Sequence, residues 1–148
     1  MRMVRVEIDI DAPPEAVFDV MLDPDRLADW VTIHREVEYA DGGKPRKGYK
    51  MRQTLVLRGA PFKVDWTLTR CVRPREATWE GRGPAGSHAR TAYRLSETDA
   101  DGTHFEYENE YKVPGGLFGA AASRALVGGA SEREAMKSLQ KLKELLEG

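Results

Sequence analysis

The chain has a single cysteine, Cys71, and no second one to pair with it. That excludes an internal disulfide and a cysteine metal cluster, and it fits a reducing compartment. No apolar run reaches membrane-spanning length, and the charged start lacks the apolar stretch of a signal peptide. The expected location is cytoplasmic, with no integral membrane segment. Blocks of like charge are missing too: 23 Lys and Arg stand against 24 Asp and Glu, for a net charge of -1. A binder that works by neutralising phosphates needs a basic excess, so no nucleic-acid partner is expected. Histidine is scarce. His34, His88 and His104 are too scattered for a local metal motif, and no metal is assigned. Repeats and low-complexity segments are absent. The one soft stretch, Asp41 to Gly48, is too short to link two domains.

What is present is a chain of 148 residues, 41% hydrophobic, which suits one domain over 1–148 with one core. Val4, Val6, Ile8 and Ile10 alternate with Arg5, Glu7 and Asp9. A period of two reads as a strand with one buried face. Asp11-Ala12-Pro13-Pro14-Glu15 then reads as a helix start, with Asp11 as cap. Asp23-Pro24-Asp25 begins a second short helix that ends near Trp30. The far end, Ser131 to Glu147, is strongly helical.

Turn signals divide the middle into strands near 33–39, 49–57, 62–72, 77–83, 87–95 and 103–113. Folding the last hairpin about residue 100 sets Arg94 opposite Glu106, Arg90 opposite Glu110, Tyr93 opposite Tyr107 and Leu95 opposite Phe105. Charges match on one face and aromatics on the other. The same logic pairs Leu57 with Phe62, Gln53 with Trp66, and Val72 with Ala77. It also sets Trp66 and Leu68 against Gly83 and Gly81.

The resulting inner face carries an unusual polar row: Tyr39, Tyr49, Arg70, Trp79, Thr91 and Asn109, with Gln53 one row away. Buried polar groups need partners, and a polar row in an aromatic wall suits an orienting ligand pocket. The helix face expected to cover it runs Ala121, Ala125, Gly128, Glu132, Ala135, Leu139, Leu142 and Leu146. Leucines plug its later half, whereas the small residues of its earlier half leave a void. Gly128-Gly129 weakens the helix and makes this a candidate kink or break, and a candidate gate. The capping-box spacing Ser131-Glu132-Arg133-Glu134 follows it directly.

The run Val6-Glu7-Ile8-Asp9-Ile10-Asp11-Ala12-Pro13-Pro14-Glu15-Ala16-Val17-Phe18, with Asp23-Pro24 and Trp30, resembles the start of the polyketide cyclase/dehydrase group of the START-like superfamily. Ser138 to Glu147 resembles the end of its last helix. The resemblance implies an α+β helix-grip fold: a seven-stranded antiparallel curved sheet round a long C-terminal helix, with two short helices after strand 1. It implies a hydrophobic cavity between sheet and helix. Known members include aromatase/cyclases, coenzyme Q-binding proteins, lipid carriers and ligand receptors.

Other motifs have bland explanations. Gly81-Arg82-Gly83-Pro84-Ala85-Gly86 matches the dinucleotide fingerprint in form, but a strand pattern follows it where that site needs a helix, so it reads as a hairpin turn. His88, His104 and Cys71 fall on the outer face by phase, and Cys71 reads as an inert thiol. Lys44, Arg46, Lys47, Lys50 and Arg52 read as a solvated loop. Arg70 has two open readings, because an inward arginine cannot shed its charge. It is either half of a salt bridge, with Glu132 as partner, or an anchor for a ligand oxygen.

The pocket candidates are therefore Arg70, Tyr49, Gln53, Trp66, Trp79, Thr91, Tyr93, Tyr107, Asn109 and Ala125. The expected partner is a small hydrophobic, oxygen-bearing ligand: a lipid, a quinone or a polyketide-like molecule. No cofactor is expected. Two alternatives stay open. One is a cyclase or dehydratase that uses Arg70 with Tyr49 and Tyr93. The other is a protein-interaction module, which an apolar patch on the last helix would favour. No positioned base is evident, and no catalytic set is assigned.

Overall fold

The computed structural model describes residues 2–57, 59–112 and 131–148. Strand β1 (Arg2–Ile10) leads into helix α1 (Pro14–Leu22), a 3-10 turn at Pro24–Arg26 and helix α2 (Leu27–Trp30). Six more strands follow: β2 (His34–Ala40), β3 (Lys50–Leu57), β4 (Ala60–Val72), β5 (Glu76–Arg82), β6 (His88–Glu97) and β7 (Thr103–Lys112). Helix α3 (Ser131–Glu147) closes the described chain. The strands form one antiparallel sheet in the order β1-β7-β6-β5-β4-β3-β2. Every step is thus a hairpin except β1, which docks beside β7. This is the expected α+β helix-grip arrangement. The expected small-residue half of the last helix, Ala121, Ala125 and Gly128, and the Gly128-Gly129 break lie outside the described residues.

The start of α1 differs from expectation. Pro13, not Asp11, is the N-cap residue, and its carbonyl takes the first helical N–H groups from Ala16 and Val17. The Asp11 backbone N–H instead donates to Glu147 Oε2 at 2.8 Å, from the far end of α3. Lys143 pairs with Glu147 and donates to the Asp9 carbonyl. The last turn of α3 is thereby clamped to the β1–α1 corner. Asp23 does cap as its type suggests, accepting from the Asp25 N–H at 2.9 Å.

Burial follows the alternation. Phe18 and Met21 of α1, Leu27 and Trp30 of α2, Leu68 of β4, Phe105 of β7 and Leu139 and Leu142 of α3 are buried. Each such side chain contributes ~1.5–3 kcal/mol when removed from water. The outward side of α3 is charged, with Glu132, Arg133, Lys137, Lys141 and Glu144 exposed.

The β6–β7 register is as expected at every pair, Arg94 opposite Glu106 and Tyr93 opposite Tyr107 included. The β3–β4 hairpin is shifted by two residues, and so is β4–β5 from Asp65 to Leu68, whereas Val72 pairs with Glu76, one residue from the expected Ala77. Leu57 pairs with Ala60, Gln53 with Val64, and Trp66 with Met51 on one side and Gly81 on the other. A slip of two leaves each side chain on its expected face, because the period of a strand is two.

A β-bulge between Leu68 and Arg70 does change the faces. Leu68 pairs with Trp79, but Arg70 pairs with Thr78. The extra residue on β4 inverts the alternation beyond it. Arg70 therefore lies on the outer face, its side chain 60% exposed, with Nε 2.6 Å from Glu76 Oε2. Neither expectation for it holds: it does not point inward, and its partner is not Glu132, which is exposed on α3. Cys71, expected outside, turns inward and packs against the core. Burial pushes its thiol pKa up, which keeps it inert. A second irregularity, between Val37 and Tyr39, places Tyr39 outside, with Arg52 5.5 Å from its ring centroid.

Candidate functional site

Among the described residues, the inner face of the sheet, the segment after α2 and the first turns of α3 border a cavity of about 340 Å³. That is within the range of ~300–1,000 Å³ usual for small-molecule sites. Among the described residues the wall is mainly apolar, with Ile33, Leu55, Phe62, Val64 and Leu139 contributing. Trp30, Trp66, Tyr93 and Tyr107 supply aromatic surface, and Asn109 and Glu134 add polar groups.

The strand register explains the aromatic wall. Ala77, Tyr93, Tyr107 and Val6 stand in one cross-strand row. The ring centroids of Tyr93 and Tyr107 lie 5.7 Å apart at an interplanar angle of 47°. Burial pushes the Tyr93 phenol far above its ordinary pKa. It also pushes Tyr107 up to about 12, with a hydrogen bond from Asn109 acting in the opposite direction. Both phenols are protonated at neutral pH, so they can donate to a ligand oxygen but cannot serve as bases. The next row runs Leu68, Trp79, Thr91 and Asn109. It is the expected polar row with Leu68 in the place intended for Arg70.

Trp66 owes its position to two neighbours. Gly81, directly opposite, leaves the space its ring fills: a Cβ there would stand 2.7 Å from Trp66 Cε3. Gln53, diagonally across, accepts the Trp66 indole N–H at 2.9 Å. Indole can only donate, which fixes the amide with its NH2 toward His34, 2.9 Å from Nδ1. His34 Nδ1 must then accept, so the ring is neutral. Burial lowers its pKa in agreement.

The candidate residues therefore divide. Trp66, Tyr93, Tyr107 and Asn109 stand on the cavity wall. Tyr49, Gln53, Trp79 and Thr91 are buried behind it on the same sheet face, with Tyr49 and Trp79 edge-to-face at 6.2 Å. Arg70 is on the opposite face, and Ala125 lies outside the described residues.

The structure adds wall residues that the strand pattern did not reveal. Thr32, after α2, donates from its hydroxyl to Glu134 Oε2 at 2.8 Å, and its backbone N–H donates to Ser138 Oγ at 3.0 Å. These contacts tie the α2–β2 segment to α3 at the edge of the cavity. A signal existed in the helix: Glu134 and Ser138 are spaced i, i+4 beside the Ala135, Leu139 and Leu142 stripe, so they border its buried face. Trp30, the last residue of α2, also lines the cavity.

On the outer face His104 gathers carboxylates. Its Nδ1 is 2.6 Å from Asp9, and its Nε2 is 3.6 Å from both Glu7 and Glu106. The basic loop is spent locally, since Arg46 donates to the Gly42 and Lys44 carbonyls. Arg52 holds Asp65 with two hydrogen bonds. The glycine-rich stretch forms a 3-10 turn at Pro84–Gly86 between two strands, as a hairpin should.

Comparison with known proteins adds the following. The model of a family described as polyketide cyclase / dehydrase and lipid transport matches residues 1–147. A curated protein named Toxin Rv0910, from Mycobacterium tuberculosis (strain ATCC 25618 / H37Rv), is 29% identical over 86 residues. That stretch is 58% of this chain, and the chain spans 60% of that relative's length. Among solved structures, the Zhui aromatase/cyclase from Streptomyces sp. R1128 superposes with a TM-score of 0.77 at 18% identity, covering 99% of this chain and 93% of that one. Protein CV1439 from Chromobacterium violaceum superposes with a TM-score of 0.76, also at 18% identity, covering 100% and 99%. At these identities the structural likeness speaks for the fold.

Proposed function

The chain belongs to the polyketide cyclase/dehydrase and lipid transport family, and from that premise we propose that it binds a small, largely apolar, oxygen-bearing molecule in the cavity under α3. The role is that of a binder or carrier for a lipid, quinone or polyketide-like compound, performed by residues 1–148 as one domain without a cofactor. The observation that carries this reading is the cavity itself: about 340 Å³, walled by tryptophan and tyrosine, with a few polar groups facing in. Apolar surface supplies the affinity, and the polar groups fix orientation. Trp66, Tyr93, Tyr107 and Asn109 are the proposed contacts. Gln53, Tyr49, Trp79 and Thr91 support them from behind. Native mass spectrometry of the purified protein tests this. A co-purifying small molecule that departs on mild activation is the expected result. A bare mass, together with no uptake from a panel of oxygenated aromatics, overturns it.

A second reading is cyclisation or dehydration of an oxygenated chain in the same cavity. Glu134 favours it, as a carboxylate on the wall that Thr32 holds in place. Such chemistry needs a base within hydrogen-bond reach of the carbon acid, and buried protonated phenols to stabilise the enolate oxygen. Arg70 has no part in it. Glu134→Gln should then abolish turnover of a polyketide-like substrate and leave its binding intact. The charged outward side of α3 gives no support to a protein-interaction role.

A further inference from the structure

Trp30 is 2% exposed and lines the cavity, yet its indole N–H has no hydrogen-bond partner among the described residues. Buried N–H donors in folded proteins are rarely left unmet. Trp66 shows the ordinary solution, a dedicated Gln53 acceptor at 2.9 Å. Around Trp30 the nearest chain segments offer little. Val31 and Ile33, which follow it in the chain, are apolar, and so is Leu139 on the cavity wall. Two acceptors on the cavity wall, Glu134 Oε2 and Ser138 Oγ, take hydrogen bonds from Thr32 and not from Trp30. An indole N–H can only donate, and the described residues give this one no acceptor; its nitrogen is closed off in this structure, so an acceptor carried by a ligand reaches it with a small shift of the ring.

We propose that the Trp30 indole N–H is the orienting donor of the site, receiving a carbonyl or ether oxygen of a neutral, ring-bearing ligand. This rests on the cavity-binding reading above and deepens it, because it names the polar feature the ligand must carry. The oxygen would stand at the α2 end of the cavity. The apolar body of the ligand would lie along Trp66 and the Tyr93–Tyr107 pair. A hydrocarbon of the same shape would fill the space but leave the donor unmet.

The test uses a matched pair of probes, 1-tetralone and tetralin, which differ in one carbonyl. Affinities are measured by tryptophan fluorescence for the wild type and for Trp30→Phe, which keeps an aromatic ring and removes the N–H. The wild type should prefer the ketone, and Trp30→Phe should lose about fivefold or more of that preference, since a neutral hydrogen bond is worth up to about tenfold in affinity. The affinity for tetralin should hold. Indole N–H resonances, assigned by single Trp→Phe variants, supply a reading on the unmutated protein. The Trp30 resonance should move downfield with 1-tetralone and stay nearly still with tetralin.

Equal affinity of the wild type for both probes, with the Trp30 resonance unmoved, overturns the proposal and leaves the cavity reading standing. Equal loss of both probes in Trp30→Phe, with the same unmoved resonance, reduces Trp30 to a filler of shape and overturns the proposal as well. Binding of neither probe by the wild type counts against the cavity reading and removes this inference with it.

Discussion

Arg70 Nε sits 2.6 Å from Glu76 Oε2 across the β4–β5 hairpin, on the face of the sheet away from the cavity. The pair is solvent-exposed, with side chains 60% and 36% accessible. Exposed pairs of this kind contribute ~0–1 kcal/mol. Arg70→Met should therefore change stability by no more than ~1 kcal/mol and leave 1-tetralone affinity untouched. Urea denaturation and a fluorescence titration check the two halves. A tenfold loss of affinity would put Arg70 back among the binding residues.

Gln53 is different, because its partners are buried. Gln53→Leu removes the acceptor of the Trp66 N–H and the donor to His34 at once. A buried donor left unmet costs ~1–3 kcal/mol, so the variant should unfold at correspondingly lower urea. Gln53→Glu keeps the acceptor for Trp66 but brings a buried charge, and should also be destabilised at neutral pH.

Gly81 leaves the space that the Trp66 ring occupies. In Gly81→Ala the new Cβ would meet Trp66 Cε3 and Val64 Cγ1, each at 2.7 Å. Overpacking of this kind typically costs ~1–3 kcal/mol. Thermal melts should show the loss, and the near-ultraviolet circular dichroism of Trp66 should change with it. An unchanged melt would mean that the ring moves freely into the cavity.

His34 and His104 should give opposite pH dependences. The Asp9 carboxylate hydrogen-bonded to His104 raises its pKa above the ordinary 6.5. The folded state then holds that proton more tightly than the unfolded chain. The resulting stability is fully present below pH 6.5 and is lost as pH rises through the folded value. Burial lowers the pKa of His34, so its contribution is present above pH 6.5 and is lost as pH falls through its folded value. The stability deficit of His104→Gln should shrink on going from pH 6 to pH 9. His34→Gln should lose less stability than the wild type between pH 6.5 and pH 5. Denaturation midpoints from pH 5 to pH 9 decide both.

Much of the fold was legible because local chemistry and global pairing agreed. In the β6–β7 hairpin the charges on one face and the aromatics on the other admit a single register, and the observed one is that register. The β3–β4 and β4–β5 turns carried no such double check. There the spacing of glycine and proline left the partner of Trp66 open by two residues, and Gly81 rather than Gly83 stands opposite it. Since two residues is one full strand period, Trp66 kept its face and its place in the site. The binding role of Gln53 was the natural inference from an inward amide. Only the diagonal contact with Trp66 reveals that the amide is already engaged.

The alternation of β1, the hairpins, the two short helices ending at Trp30 and the Leu139–Leu142 stripe follow from residues a few positions apart, so they were legible in the order of the residues. The tertiary structure decided where the alternation inverts. A thirteen-residue β4 bends with the sheet by taking an extra residue between Leu68 and Arg70. That bulge sends Arg70 to solvent and Cys71 to the core. The tertiary structure also brought Thr32 to Glu134 and Ser138, across more than a hundred residues of chain. Neither event leaves a periodic trace, because a bulge answers to the curvature of the whole sheet and a long-range contact answers to the docking of α3.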